Sequence, residues 1–132
     1  MNASNRKRIA LDFLDILATR DVDKVLAAMT PEPSWGFFAQ RFAGAEGVRA
    51  IVKASDELYQ PGSQKRVIDA VYCDGDTVII KTTMRAKTFK NEDYENLYIM
   101  IIHLDGEKVS LIEEFMDTGY ANEKFSGWEM TD

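Results

Sequence analysis

The residues whose types and spacing could carry out chemistry lie in the run 94–117, YENLYIMIIHLDGEKVSLIEEFMD. Asp117 closes it beside Phe115 and Met116, and a carboxyl partly buried among apolar groups has its pKa raised toward the range useful for a general acid or base. Tyr98 and Asn96 can donate hydrogen bonds to an oxygen on which negative charge develops. Such a set suits proton transfer beside a carbonyl group, with the carboxylate taking the proton and the donors holding the enolate.

Whether these groups meet depends on the strands that carry them. Asp105-Gly106 between two β-rich runs predicts a two-residue hairpin loop. That loop sets Leu104 opposite Glu107, Tyr98 opposite Glu113, Asn96 opposite Phe115 and Tyr94 opposite Asp117. Opposed residues share a face of the sheet, so one face carries Tyr94, Asn96, Tyr98, Met100, Leu111, Glu113, Phe115 and Asp117. The other carries Leu97, Ile99, Ile101, His103, Ile112 and Met116, and is apolar apart from His103, Ser110 and Glu114. A polar turn at residues 90–93 then places Lys87 opposite Asn96 and Arg85 opposite Tyr98. The expected site has Asp117 as acid or base, with Trp35, Arg85, Lys87, Tyr94, Asn96, Tyr98, Met100, Glu113 and Phe115 as binding residues. The same strand also reads another way, with Lys81, Thr83, Arg85 and Lys87 as its wet side and Glu113 as their partner.

Other chemistry-bearing residues read as structural. His103 among Ile99, Ile101 and Met116 reads as a packed core histidine, and with no second histidine a histidine-rich metal site is not expected. Asp69, in VIDAVY, reads as a strand-edge carboxylate, and Met84 and Met100 as pocket lining or core. Glycine-rich phosphate loops and nucleophile elbows do not occur, so no cofactor is expected.

A chain of 132 residues, 45% apolar and 29% charged, predicts a single domain over 1–132 with room for a real core. The net charge of −6 argues against a nucleic-acid partner, which needs a basic surface. Apolar runs such as LYIMII are too short to span a membrane. The stretch IALDFLDILA is broken by Asp12 and Asp15, unlike a secretory leader, and a cytoplasmic location is expected. Cys73 is the single cysteine, which excludes an internal disulfide, and it reads as a small buried hydrophobe.

Helical spacing of Ile9, Phe13, Ile16 and Leu17 predicts a helix over residues 5–19, capped by Ser4 or Asn5. Asp21 caps a second, shorter helix with Val22, Val25, Leu26 and Met29 inward, ended by Pro31 and Pro33. The segment 34–44, with Trp35, Phe37, Phe38 and Phe42, reads as a short strand or loop over the core or at a pocket mouth. A third helix carries Val48, Ile51, Val52, Leu58 and Tyr59, and Pro61-Gly62 stops it. From Lys65 the period changes to two. Strands over 65–73 and 76–89, joined at Asp74-Gly75, lead into the 94–117 hairpin, and Phe125 and Trp128 are placed to dock back. The result is an α+β fold, three N-terminal helices on one side of a four-stranded antiparallel meander.

This order resembles the nuclear transport factor 2-like superfamily, in particular its SnoaL-like and ketosteroid isomerase-like branches. The resemblance rests on the early helical pair, the tryptophan segment after it, Gly44-Ala45-Glu46-Gly47-Val48, Tyr94-x-Asn96-x-Tyr98, Leu104-Asp105-Gly106-Glu107-Lys108, and Glu113-Glu114-Phe115-Met116-Asp117. It implies a cystatin-like α+β roll in which a strongly curved sheet forms a cone-shaped cavity, and a homodimer through the sheet. It also implies a small hydrophobic or aromatic ligand, bound without catalysis or with proton-transfer chemistry of the polyketide cyclase or isomerase type. Asp117 matches the final-strand carboxylate expected of the cyclases and of the related epoxide hydrolases, and Arg85 matches an arginine of the hydrolases. Lys87 stands where those hydrolases carry an acid, and a cation cannot activate water in that way. Steroid isomerases need an acid just after the second helix and a tyrosine on the first, where this chain has Pro33-Ser34-Trp35 and Phe13. A fold shared by enzymes and binding proteins does not choose between the two.

Overall fold

The computed structural model describes residues 1–37 and 40–129. Phe38, one of the aromatic residues of the 34–44 segment, lies outside them. The helices form where the apolar stripe and a cap coincide. Asn2 caps α1 (Ala3–Ala18) by accepting from Asn5 N–H at 2.9 Å, two residues ahead of the expected cap, and α1 buries Ala10, Phe13 and Leu14. Asp21 caps α2 (Val22–Ala27) as expected, accepting from the N–H groups of Asp23 and Lys24.

The prolines after α2 do more than stop it. Met29 to Phe37 becomes strand β1, with Pro33 and Trp35 buried, and a short β2 (Gln40–Ala43) folds back on it. The aromatic segment is therefore a hairpin of the sheet itself. At Gly44 the chain turns at φ +74° into α3 (Gly44–Leu58). Gly47, in the first turn of α3, lies so close to β2 that a Cβ would sit 2.5 Å from the Phe42 carbonyl carbon. The Gly-Ala-Glu-Gly-Val motif thus meets two separate demands of one corner.

Strands β3 (Lys65–Asp74), β4 (Thr77–Lys87), β5 (Asp93–Asp105) and β6 (Lys108–Met116) form the expected antiparallel meander, and α4 (Thr118–Lys124) follows. The sheet has six strands in the order β2-β1-β6-β5-β4-β3, with β1 parallel to β6, and it curls without closing. Phe13, Val25, Val48 and Ile51 pack on its inner face against Ile80, Met100, Ile102 and Ile112, all buried. Full burial of each such side chain stabilises by about 1.5–3 kcal/mol. No helix among the described residues is long and apolar enough to cross a membrane.

Three local features correct the expected register. In both Asp-Gly turns the glycine takes the first loop position at positive φ, Gly75 at +56° and Gly106 at +60°, so Asp74 pairs with Thr77 and Asp105 with Lys108. That displacement alone keeps the expected faces. Ser110 then bulges: Leu104 pairs with Val109 while His103 pairs with Leu111, and every β6 residue beyond the bulge changes face relative to β5. The β4–β5 turn also differs, because Thr88 and Phe89 leave β4 to pair with the end of α3. Phe89 N–H donates to the Leu58 carbonyl and Gln60 N–H to the Lys87 carbonyl, both at 2.8 Å. Lys87 consequently faces Asp93 and Arg85 faces Glu95.

Candidate functional site

The inner face of β5 carries Tyr94, Asn96, Tyr98 and Met100, all buried, as the alternation predicts. Because of the bulge, the β6 residues that join them are Glu114 and Met116. Glu113 and Phe115 are turned to the outer face. Glu114 lies near mid-sheet, opposite Met100 of β5 and Phe37 of β1, and is 7% exposed.

Beside it opens a cavity of about 140 Å³. Leu17 in the last turn of α1, Arg20 in the turn beyond it, and Ile51 and Ser55 of α3 form one wall. The sheet supplies Trp35, Phe37, Met84, Tyr98, Glu114 and Met116, while Arg66 enters from the edge strand β3, Gln64 from the residue before it and Phe125 from beyond α4. Trp35 and Phe37 stack with ring centres 6.4 Å apart. Glu114 is the acid of this wall. Burial pushes its carboxyl up to about 7, against the positive charge of Arg66. Arg66 reaches in from β3, its guanidinium 5.8 Å from the Tyr98 ring centre and Nη1 3.7 Å from Met100 Sδ.

Behind the cavity the hydroxyls of Tyr94 and Tyr98 meet at 2.6 Å, and that of Tyr59 lies 3.4 Å from Tyr98. Asn96 Nδ2 donates to the Tyr94 hydroxyl at 3.0 Å and to the Asp117 carbonyl at 3.1 Å, which ties β5 to the end of β6. Burial raises all three phenols above their ordinary pKa, so at neutral pH they remain protonated hydrogen-bonding groups. Phe125 stacks on Tyr94 at 5.0 Å and meets Tyr59 edge-on at 5.4 Å, so the expected docking of Phe125 closes this aromatic box.

The structure brings Trp35, Tyr98 and Met84 to the cavity and sets Tyr94, Asn96 and Met100 directly behind it. It places five other expected site residues elsewhere. Asp117 is exposed, and its Oδ1 accepts from Tyr120 N–H at 3.1 Å, so it is the N-cap of α4. Arg85 and Lys87 stand on the outer face in ion pairs with Glu95 and Asp93, which is the wet-strand alternative with different partners. Glu113 also stands there, with Oε1 2.7 Å from His103 Nε2, so His103 is an outer-face residue and not a core one. Phe115 shares that face. Cys73 is half-buried, and Asp69 sits exposed at a bulge in the edge strand, accepting from Thr83 Oγ1 at 2.8 Å.

Glu114, Arg66 and Arg20 were not anticipated as site residues. The available signal was Glu114 itself, a carboxylate flanked at two residues' distance by Ile112 and Met116 on a face otherwise apolar. Two buried nitrogens in the cavity residues, Trp35 Nε1 and Arg20 Nη2, have no hydrogen-bond partner. Among the described residues no three His, Cys, Asp or Glu side chains gather in a way that could hold a metal ion.

A curled, open sheet backed by helices is the fold of the nuclear transport factor 2-like class, and the comparisons agree on that fold. The SnoaL-like domain model matches residues 10–112, and the chain belongs to that family. Its fold is similar to that of an NTF2-like protein of unknown function from Burkholderia pseudomallei K96243, at 15% identity and TM-score 0.81, covering 96% of this chain and 100% of that one. A putative SnoaL-like polyketide cyclase from Jannaschia sp. CCS1 is similar at 17% identity and TM-score 0.80, over 96% of this chain and 94% of that one. An LEH-like epoxide hydrolase from M. tuberculosis is similar at 15% identity and TM-score 0.73, over 92% and 90%. At these identities the likeness carries the fold alone. No functionally curated protein matches the sequence.

Proposed function

We propose that this SnoaL-like protein binds a small, largely apolar molecule in the Glu114 cavity and moves a proton on it, as in the cyclisation or isomerisation of a carbonyl compound. Glu114 replaces Asp117 as the acid or base. The observation that carries this reading is a carboxyl buried in the cavity wall with its pKa raised to about 7, where protonated and ionised forms coexist at neutral pH.

The hydrogen-bond chain behind it supports the same reading. Asn96 can only donate to the Tyr94 oxygen, which leaves the Tyr94 proton for Tyr98, and Tyr98 can in turn donate to Tyr59 or to an acceptor brought into the cavity. In the step we infer, the Glu114 carboxylate takes a proton from the carbon beside a carbonyl. The C–H electron pair moves into the enolate, whose oxygen accepts from Tyr98. Glu114 then returns the proton at another carbon, or to the alkoxide formed when the enolate carbon attacks a second carbonyl.

Deuterium exchange tests this without knowledge of the natural substrate. Small cyclic and aryl ketones incubated with the protein in D2O, followed by proton NMR, are expected to lose their α-proton signals, and Glu114→Gln is expected to slow that loss at least 100-fold while Asp117→Asn leaves it unchanged. Equal rates with Glu114→Gln would leave the non-catalytic reading, in which the cavity only binds and Trp35→Ala removes affinity. We further propose a homodimer through the outer face of the sheet, where Leu97 is 45% exposed and Val67 and Tyr72 are also solvent-facing. Sedimentation that gives a monomer at all concentrations overturns it.

A further inference from the structure

The polar groups around the cavity are unbalanced toward donors. Trp35 Nε1 is an obligate donor, buried and without a partner. Arg20 spends Nη1 on Asp56 Oδ1 at 3.0 Å and the Ser55 carbonyl at 3.4 Å, but its Nη2 is buried and unpartnered. Gln64 donates Nε2 to Ser55 Oγ at 3.4 Å. Arg66 has a thioether, a weak acceptor, as its hydrogen-bond partner and an aromatic face beside it. Among the described residues no carboxylate comes within ion-pair distance of it.

A half-buried guanidinium cannot shed its proton, so its charge is fixed, and a desolvated charge without a partner is costly. Glu114, whose charge Arg66 feels, is itself driven toward the neutral form by burial. With Arg20 paired to Asp56, the cation of the wall left without a carboxylate partner is Arg66, and it stands against one hesitant acid. The complement is a ligand that brings acceptors and negative charge. Trp35, Phe37, Met84 and Met116 supply the apolar remainder, and about 140 Å³ is of the order of a cavity that holds one benzene-sized ring.

We propose that the cavity takes a small ring-bearing carboxylic acid, its carboxylate held by Arg66 and its ring against Trp35 and Met84. This rests on the cavity being the ligand site, as above, and is independent of whether Glu114 then moves a proton. A bidentate guanidinium–carboxylate contact is geometrically specific and stronger than one between neutral groups, so a neutral isostere should be rejected.

Calorimetric titration of the whole chain with benzoate and with benzamide, which have nearly the same shape, tests it. Benzoate is expected to bind at least ten-fold more tightly. Arg66→Gln is expected to erase that preference by weakening benzoate more than benzamide, and Arg66→Lys to retain part of it. Benzamide binding as tightly as benzoate overturns the carboxylate proposal and leaves the cavity and its acid in place; that comparison needs no variant, so it holds even if Arg66→Gln fails to fold. Binding of neither overturns the ligand site as well. Retention of the benzoate preference in Glu114→Gln, together with unchanged deuterium exchange, would sink the acid–base role alone and support the anion site.

Discussion

Glu113 and Glu114 are neighbours in sequence with the same side chain, and the sheet gives them opposite fates. Glu113 faces outward and shares a hydrogen bond with His103. Glu114 faces the cavity, where burial raises its pKa to about 7. The outer face satisfies its charges in pairs, Arg85 with Glu95 and Lys87 with Asp93. The inner face leaves an acid and a guanidinium short of partners. A charged group becomes chemically useful here through desolvation and incomplete pairing, so a one-residue change of strand parity decides which glutamate is which.

The most drastic way to break that comparison is to remove the residue that sets the parity. Deleting Ser110 straightens the β5–β6 ladder and would turn Ile112, Glu114 and Met116 outward and Glu113 and Phe115 inward. Burying the wrong set removes much of the core, and the expected outcome is loss of a cooperative thermal transition and of near-ultraviolet circular dichroism. A variant that folds with native stability would show that the bulge does not fix the faces.

The next effect is the pH dependence of stability. In the unfolded chain Glu114 titrates near its ordinary value of 4.5, and in the folded protein at about 7. Between these values the native state holds a proton that the unfolded state has lost, so stability is fully present below pH ~4.5 and falls as pH rises through 7. At 1.36 kcal/mol per unit the loss amounts to about 3 kcal/mol at most. Glu114→Gln, which mimics the neutral acid, should remove this decline, and its stability advantage over the parent should grow from pH 5 to pH 8 in urea titrations. Parallel profiles for the two proteins would mean that Glu114 is not held in a desolvated site.

Asp117 gives a smaller effect of a different kind. As the cap of α4 it should cost about 1 kcal/mol when changed to Ala, through helix stability, with Glu114-dependent chemistry intact. Restoration by Asn or Ser, which cap as well, distinguishes this role from a catalytic one.

Much of this architecture was legible in the sequence, and what was not has local causes. The change of period at Lys65, the capping Asp21 and the alternation of Tyr94, Asn96, Tyr98 and Met100 report strong, repetitive burial, and each is found in place. The faces of β6 and β4 depended on single events. Ser110 carries no mark of a bulge, and the pairing of Thr88 and Phe89 with Leu58–Gln60 is a long-range contact that no local pattern encodes. Arg66 was missed for a related reason, since an arginine on an edge strand looks solvent-bound until the cavity beside it is known. The β1–β2 hairpin was only half visible, because Pro31 and Pro33 read as breakers although β1 accommodates both.

The smallest effect is also the one that bears on what covers the outer face. If that face meets water, Glu113→Gln removes one acceptor from a partly exposed pair with His103 and should change stability by less than about 1 kcal/mol, because solvent screens such pairs and replaces the lost partner. If instead a second copy covers Leu97 and its neighbours, the same pair becomes desolvated, and the amide NH2 that Gln brings in place of one carboxylate oxygen is buried without an acceptor at a cost of about 1–3 kcal/mol. The two cases separate by concentration: a dimer makes the thermal midpoint rise with protein concentration, and the Glu113→Gln penalty should then be larger at high concentration than at low. A penalty that is small and independent of concentration keeps the two faces as different as they are drawn here, one solvated and paired, the other buried and short of partners.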